Sequence, residues 1–185
     1  MKFPKAFSLL ALTMVLLLAA CGEGHEQMLQ QLEELERQNR ACETFTSDSL
    51  AERLVQYFDR HGDANERMRS HYILGCVYRD LGEAPHAIDC YHNALSYADT
   101  TANDCDYNTL MGINGQMAVI FHQQNLPQDE IQAIRQYIHY TQKANPNDTL
   151  NSLLAREQLI KPFYLLGEKD TVLHITEETA KQLKL

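Results

Sequence analysis

The histidines and cysteines are the residues of this chain best suited to metal binding or nucleophilic chemistry. His86 and Cys90 lie four positions apart with His92 nearby, and on a helix this spacing could begin a zinc site. Zinc needs about four converging ligands, and on a helix His92 would point away from the other two. The catalytic motifs His-Glu-x-x-His and Gly-x-Ser-x-Gly, the phosphate loop and the dinucleotide glycine fingerprint do not occur. We therefore expect no metal, no cofactor and no enzymatic activity.

The first twenty residues have the composition of a secretory signal. Lys2 and Lys5 precede an apolar run over 7–20, which is shorter than the roughly 20 residues needed to span a bilayer. The segment ends in Leu18-Ala19-Ala20-Cys21, which resembles the lipobox of bacterial lipoproteins. This resemblance implies a signal peptide over 1–20 and a lipidated cysteine with its tether over 21–25.

Lipidation of Cys21 would place the protein on a membrane after export, because acyl chains contribute roughly 0.8 kcal/mol per buried CH₂. Gly22 does not supply the aspartate signal for inner-membrane retention, so the resemblance favours the outer membrane. The side of that membrane is left open.

Four cysteines remain beyond the lipobox: Cys42, Cys76, Cys90 and Cys105. An even number in an exported protein permits two disulfides, which leaves three pairings open. Cys76 and Cys90 fall within apolar helical stretches, where cysteine commonly acts as a small hydrophobic residue. Their spacing contains no Cys-x-x-Cys pair, so free thiols are favoured.

Apolar residues recur at helical spacing through the rest of the chain, and no alternating strand pattern competes. The spacing predicts eight helices, over 26–41, from the 47–49 capping cluster to His61, and over 64–81, 84–98, 106–124, 128–144, 149–166 and 170–184. Their connections are short, which favours antiparallel hairpins. We expect one all-α domain over 26–185, built from about four stacked hairpins.

The second hairpin carries a recognisable pattern. Leu74-Gly75-x-x-Tyr78-x-x-x-Gly82 followed by Ala87-x-x-x-Tyr91-x-x-Ala94 resembles the signature of the tetratricopeptide repeat (TPR). The best unit covers 68–101, and the resemblance makes Gly75 and Ala87 the pair at which the two helices approach closely. Together with the lipobox, it is similar to the TPR lipoproteins of Bacteroidetes.

The next hairpin is a degenerate copy of this pattern. Ala118 lies 43 positions after Gly75, and Ile160 lies 42 further on, so each unit is longer than the usual TPR of about 34 residues. Ala133, Tyr137 and Tyr140 repeat the offsets of the second helix if a longer turn intervenes over 125–127.

The TPR resemblance implies an α-solenoid whose concave groove, lined by one face of each first helix, binds a protein or peptide partner. Carried onto this sequence, the candidate groove residues are Arg69, Tyr72, Cys76, Arg79, Gln116, His122, Lys161 and Tyr164. Packing between repeats is the alternative role for Tyr72.

Arg69 and Arg79 are ten positions apart on this face, about 15 Å along a helix. They could form a positive stripe that suits an acidic peptide, because arginine binds carboxylates with two hydrogen bonds. The alternative is that Glu66, Asp80 or Glu83 on neighbouring turns neutralises them.

Four tripeptides begin with an aspartate and a hydroxyl residue: Asp48-Ser49-Leu50, Asp99-Thr100-Thr101, Asp148-Thr149-Leu150 and Asp170-Thr171-Val172. Helix capping explains each of them singly. The lineage resemblance also implies O-glycosylation at Ser49, Thr100, Thr149 and Thr171.

The charge balance excludes some partners. The chain has 16 basic and 25 acidic residues and a net charge of −9, and loss of Lys2 and Lys5 lowers this by 2, to −11. Nucleic acid is therefore not an expected partner. The alternative function is a sensory or regulatory part of a longer TPR signalling protein, in which exposed Leu173, Ile175 and Leu183 would favour self-association or a covering segment.

Overall fold

The structure is a computed structural model that describes residues 24–183, and the signal peptide, Cys21 and the rest of 1–23 lie outside the described residues. Within 24–183 it consists of helices joined by turns, with no strand. The helices are α1 (24–40), α2 (Ser49–His61), α3 (Ala64–Asp80), α4 (Ala84–Ser96), α5 (Tyr107–Gln123), α6 (Pro127–Ala144), α7 (Thr149–Gln158), α8 (Ile160–Leu165) and α9 (Lys169–Leu183). The predicted all-α class is confirmed.

The helices pair as four antiparallel hairpins, which we call units 1 to 4. In unit 1, the ring of His25 lies beside Phe58, while Arg53 contacts Gln31, so α1 and α2 run in opposite directions. Units 2 and 3 pair α3 with α4 and α5 with α6, and unit 4 pairs α7 and α8 with α9. Successive units pack through α2 on α3, α4 on α5, and α6 on α7 and α8.

The predicted helix over 149–166 is wrong in one respect, because it is broken at Leu159. Pro162 has no N–H to donate to the carbonyl four residues earlier, and its ring crowds that position. The Leu159 N–H instead bonds to the carbonyl of Arg156 at 3.1 Å, which tightens the chain between α7 and α8.

Each unit turns between its two helices in the same way. Cys42, Gly82, Asn125 and Gly167 have positive φ angles of 56°, 80°, 55° and 77°, at intervals of 40, 43 and 42 residues. The residue after each donates its N–H back to the last turn of the first helix, for example Glu83 to Tyr78 at 2.8 Å and Leu126 to Phe121 at 2.9 Å. This is the Schellman motif, which glycine and asparagine favour.

The repeated turn corrects the alignment of units 2 and 3. The predicted longer turn over 125–127 does not exist, because Gly82 and Asn125 occupy the same turn position. A single offset of 43 residues therefore relates the two units throughout. Glu130, not Ala133, corresponds to Ala87, and both of these positions are buried.

The close approach at Gly75 is made to the ring of Tyr91 rather than to Ala87. A Cβ atom on Gly75 would lie 2.4 Å from Cε1 and 2.6 Å from Cδ1 of Tyr91. At the equivalent positions, unit 3 has Ala118 with Ile134, whereas in unit 4 the equivalent of Tyr91, Thr176, is exposed. Between units 2 and 3 the first-helix residue is larger and its partner is smaller, as close packing of the two helices requires.

Aspartate caps begin the first helix of units 2, 3 and 4. Asp63 accepts from the Glu66 N–H while Glu66 accepts from the Asp63 N–H, which is a capping box, and Asp106 and Asp148 accept from N–H groups of their first turns. The capping expected at Asp48 is wrong, because its side chain makes no cap hydrogen bond.

Candidate partner-binding groove

Two clefts lie on the side of the molecule formed by the first helices. The N-terminal cleft, about 440 Å³, lies among α1, α3 and α5 and includes Glu36, Asn39, Arg69, Tyr72 and Gly112. The C-terminal cleft, about 550 Å³, lies between α5 and the pair α7 and α8; it is lined by Ala118, Val119, His122, Gln123, Glu130, Ile134, Glu157, Gln158, Ile160 and Lys161. Of the eight predicted groove residues, Arg69 and Tyr72 line the N-terminal cleft, and His122 and Lys161 line the C-terminal cleft.

Arg69 is held by a carboxylate of unit 1. Its Nε and Nη2 atoms donate to the two oxygens of Glu36 at 2.7 and 2.8 Å. Both side chains are mostly buried, and the hydrogen bonds from Glu36 raise the pKa of the guanidinium. This two-bond geometry fixes α3 against α1 and uses the donors that a peptide carboxylate would need.

Arg79 also faces a carboxylate. Its Nη2 lies 2.7 Å from Asp80 Oδ1, and Nη2 donates to Asn39 at 3.4 Å. The second oxygen of Asp80 accepts from the Phe45 N–H at 3.0 Å, so this group ties the loop after α1 to α3. The positive stripe predicted from Arg69 and Arg79 is therefore neutralised. Asp80 pairs with Arg79, as the alternative expectation proposed, whereas the partner of Arg69 is Glu36, which that expectation did not include.

Tyr72 packs between the units. Its hydroxyl accepts from Asn39 at 3.4 Å, and a Cβ atom on Gly112 of α5 would lie 2.8 Å from the same oxygen. Burial raises the pKa of this phenol. Tyr72 thus fills the space between α1, α3 and α5, as the packing alternative expected.

Cys76 must be removed from the groove candidates. Its side chain has no exposed surface and accepts a hydrogen bond from the Tyr91 hydroxyl, at 3.7 Å between oxygen and sulfur. Burial raises the pKa of its thiol. Cys76 and Cys90 are both buried small residues, as predicted, and the four cysteines of the described chain are free thiols.

The C-terminal cleft contains a hydrogen-bonded chain of three ionisable side chains. Glu130 Oε1 lies 2.8 Å from His122 Nδ1, and Lys161 Nζ lies 2.9 Å from His122 Nε2. An ammonium group can only donate, so Nε2 of His122 accepts the hydrogen bond from Lys161, and the Nδ1–H group donates to Glu130. His122 thus links a buried carboxylate to an exposed lysine.

The walls of the C-terminal cleft combine apolar and polar surface. Val119 has 48% of its surface exposed, although it lies on the same face of α5 as His122. Gln123 and Glu157 are exposed beside it. Within residues 24–183, Lys161 has no carboxylate within ion-pair distance, so its charge is available to a ligand. The cleft can accept an apolar side chain next to a hydrogen-bonding group.

Glu130 is the groove residue that the sequence analysis missed. It lies in the first turn of α6, where a carboxylate is favourable because of the helix dipole. The sequence carried a sign of this role, because in unit 3 a glutamate occupies the position at which unit 2 has the signature alanine Ala87. The misplaced turn assigned that position to Ala133 and so concealed the substitution.

The remaining candidates lie apart from these clusters. Gln116 lines a smaller cleft with Arg79 and Asp80, and Tyr164 is exposed on α8. Of the residues proposed for O-glycosylation, Ser49, Thr100 and Thr149 are exposed and Thr171 is half-buried.

No three His, Cys, Asp or Glu side chains converge on a metal position within 24–183. None of the described helices combines the length and apolar character needed to cross a membrane.

The architecture matches solved TPR-like proteins. One such structure contains nearly identical TPR-like repeats of a kinesin light chain from Podosopora anserina. It superposes on this chain with a TM-score of 0.65 and 15% sequence identity, and the match covers 85% of this chain and 76% of that chain. BtubC (BKLC) from P. vanneervenii gives 0.52 at 14% identity, over 84% and 70%. No protein-family model and no curated protein matches the sequence. These likenesses show a TPR-like helical-repeat fold.

Proposed function

We propose that this protein is a membrane-anchored scaffold that binds a protein or peptide partner in the C-terminal cleft. The observation that carries the proposal is the open surface of Val119, beside a lysine whose charge no described carboxylate neutralises. TPR-like repeats typically serve as scaffolds rather than enzymes, which supports a binding role.

The contrast between the two clefts favours the C-terminal one. In the N-terminal cleft, the guanidinium of Arg69 is held by Glu36 and the Tyr72 ring is enclosed by Gly112. In the C-terminal cleft, Val119 and Lys161 are both exposed, and no described carboxylate pairs with Lys161. A partner that places an apolar side chain against Val119 and a hydrogen-bond acceptor at Lys161 would use both features.

Membrane attachment is the second part of the proposal. It is supported by the lipobox resemblance at Leu18 to Cys21 and by the apolar run that precedes it. A diacylated cysteine would hold the helical repeats at the membrane surface, on the outer membrane by the sequence argument above.

The test is photo-crosslinking of the anchored protein in membranes. A photoreactive amino acid at position 119 should capture a specific partner, while the same probe at Asn93, which is exposed on a second helix, should not. Capture of the same species from both positions, or from neither, would contradict the assignment of the cleft.

The captured partner then allows a binding measurement. Val119→Glu should weaken its affinity about tenfold or more, a loss of 1.4 kcal/mol, because a charge replaces an apolar contact. Asn93→Glu adds the same charge elsewhere and serves as the matched control. Equal affinity in both variants would refute the proposal.

A further inference from the structure

The apolar surface of this protein is concentrated in unit 4. Ten large apolar residues of the described chain have exposed side chains, and seven of these lie in unit 4: Leu150, Leu154, Tyr164, Leu165, Leu166, Leu173 and Leu183. Solenoid proteins normally end in a unit with a polar outer face. The exposed residues of unit 4 thus form an apolar face that no described residue covers.

Comparison with the preceding units shows which of these residues face the next position in the stack. Leu173 corresponds to Ile131 of α6 and to Ile88 of α4. Ile88 lies beside Ile120 and Phe121 of the following unit. Ile131 is 5% exposed, whereas Leu173 is 58% exposed. Leu173 thus occupies a position that is half-buried in unit 2 and buried in unit 3, and no described residue covers it.

The same holds at the other end of α9. Leu183 corresponds to Thr141 of α6, which is buried, yet Leu183 is 44% exposed. Thr176 and Ala180 lie between the two leucines at helical spacing, so the four residues share one face of α9 over about 15 Å. We call this face the α9 stripe.

We infer that the α9 stripe binds the α9 stripe of a second copy of this chain, as an antiparallel pair. The order of side chains is leucine, threonine, alanine, leucine, so in either direction a large residue lies at each end and two smaller ones lie between. A two-fold axis between Thr176 and Ala180 places Leu173 opposite Leu183 of the second copy at both ends. The small residues in the middle let the two helices approach closely, and one patch serves both copies, as a two-fold interface requires.

The interface continues the stacking already present in the molecule. Within the chain, α4 packs on α5 of the following unit, and α6 packs on α7 and α8. In the dimer, α9 of the second copy supplies that cover. This inference is independent of the C-terminal cleft, because the cleft lies between α5 and α7 with α8 and includes no residue of α9.

The test is sedimentation of the full chain in density-matched detergent. Leu173→Lys or Leu183→Glu alone should weaken dimerisation about tenfold or more, because each places a charge opposite a leucine. The double variant Leu173→Lys, Leu183→Glu should regain most of that loss, because in an antiparallel pair each lysine then faces a glutamate. Leu81→Lys, which alters an exposed leucine in the turn of unit 2, should leave the dimer intact.

The rescue distinguishes a second copy from any other occupant, since only self-pairing brings positions 173 and 183 together. A wild-type chain that remains monomeric at tens of micromolar would overturn the inference, as would single variants that dimerise normally. A double variant that is weaker than either single variant would also overturn it. Circular dichroism confirms in each case that the helices are formed, and Val119→Glu should not change the sedimentation.

Discussion

Replacement of Gly75 by alanine should destabilise the fold, although alanine is the better helix former. An added Cβ would lie 2.4 Å from Tyr91 Cε1, far inside the ordinary contact distance of 3.4 Å or more. Tyr91 has no exposed surface, so its ring has no space into which to withdraw. The clash must be relieved by a shift of α3 against α4.

The magnitude follows from two opposing effects. Overpacking of a core costs about 1 to 3 kcal/mol. Alanine in place of glycine inside a helix contributes about 1 kcal/mol of stability. Two ring carbons of Tyr91 would lie closer than 2.7 Å to the added Cβ, so the overpacking cost should lie towards the upper end of this range. We therefore expect the free energy of unfolding to fall by about 1 to 2 kcal/mol. For a chain of this size that lowers Tm by roughly 2 to 8 °C.

Gly115 provides a matched control in the equivalent helix of unit 3. A Cβ atom there would lie 3.2 Å from Tyr137 Cδ2, and the ring of Tyr137 is only half-buried and can yield by a few tenths of an ångström. Gly115→Ala should therefore leave Tm unchanged or raise it by about 2 °C, because the helix propensity gain prevails.

A double-mutant cycle tests the cause. Tyr91→Ile reproduces the pairing of Ala118 with Ile134 in unit 3, so Gly75→Ala should be neutral or stabilising in that background. We expect a coupling of about 1 to 3 kcal/mol between the two sites, measured by urea unfolding. If Gly75→Ala costs the same with tyrosine or isoleucine at position 91, or raises Tm in the wild-type chain, the volume argument is wrong.

Three further predictions follow from other parts of the chain. Cys21→Ser should abolish lipid labelling and release the protein from membranes; retention with unchanged labelling would contradict the lipoprotein assignment. Arg69→Leu should cost about 2 kcal/mol in urea unfolding because it strands the Glu36 carboxylate, and adding Glu36→Leu should restore at least half of that; no loss in the single variant would refute a stabilising pair. Iodoacetamide should modify exposed Cys42 well before Cys76, whose pKa burial raises, and peptide mass spectrometry showing equal rates would contradict the burial of Cys76.

Most of the helices could be predicted from the sequence because their signals are local. The periodicity of apolar residues gave the bounds of α3 and α5 to within one residue, since each helix must bury one face. The turn between α5 and α6 was misread because Asn125 adopts the conformation that Gly82 has in unit 2. Asparagine marks a residue with positive φ less clearly than glycine does, because it is also common in other conformations. The residue type alone therefore did not show that Asn125 and Gly82 occupy the same turn position.

The groove was harder to predict because its chemistry depends on pairs that are distant in sequence. The sequence by itself determined the helical hairpins, because these follow from periodicity, whereas the groove positions came from the TPR resemblance. Only the tertiary structure showed that Glu36 holds Arg69 across 33 positions and that Lys161 meets His122 across 39. Which charges remain free for a partner depends on how one unit stacks on the next, and that stacking is set by the combined packing of side chains from several helices.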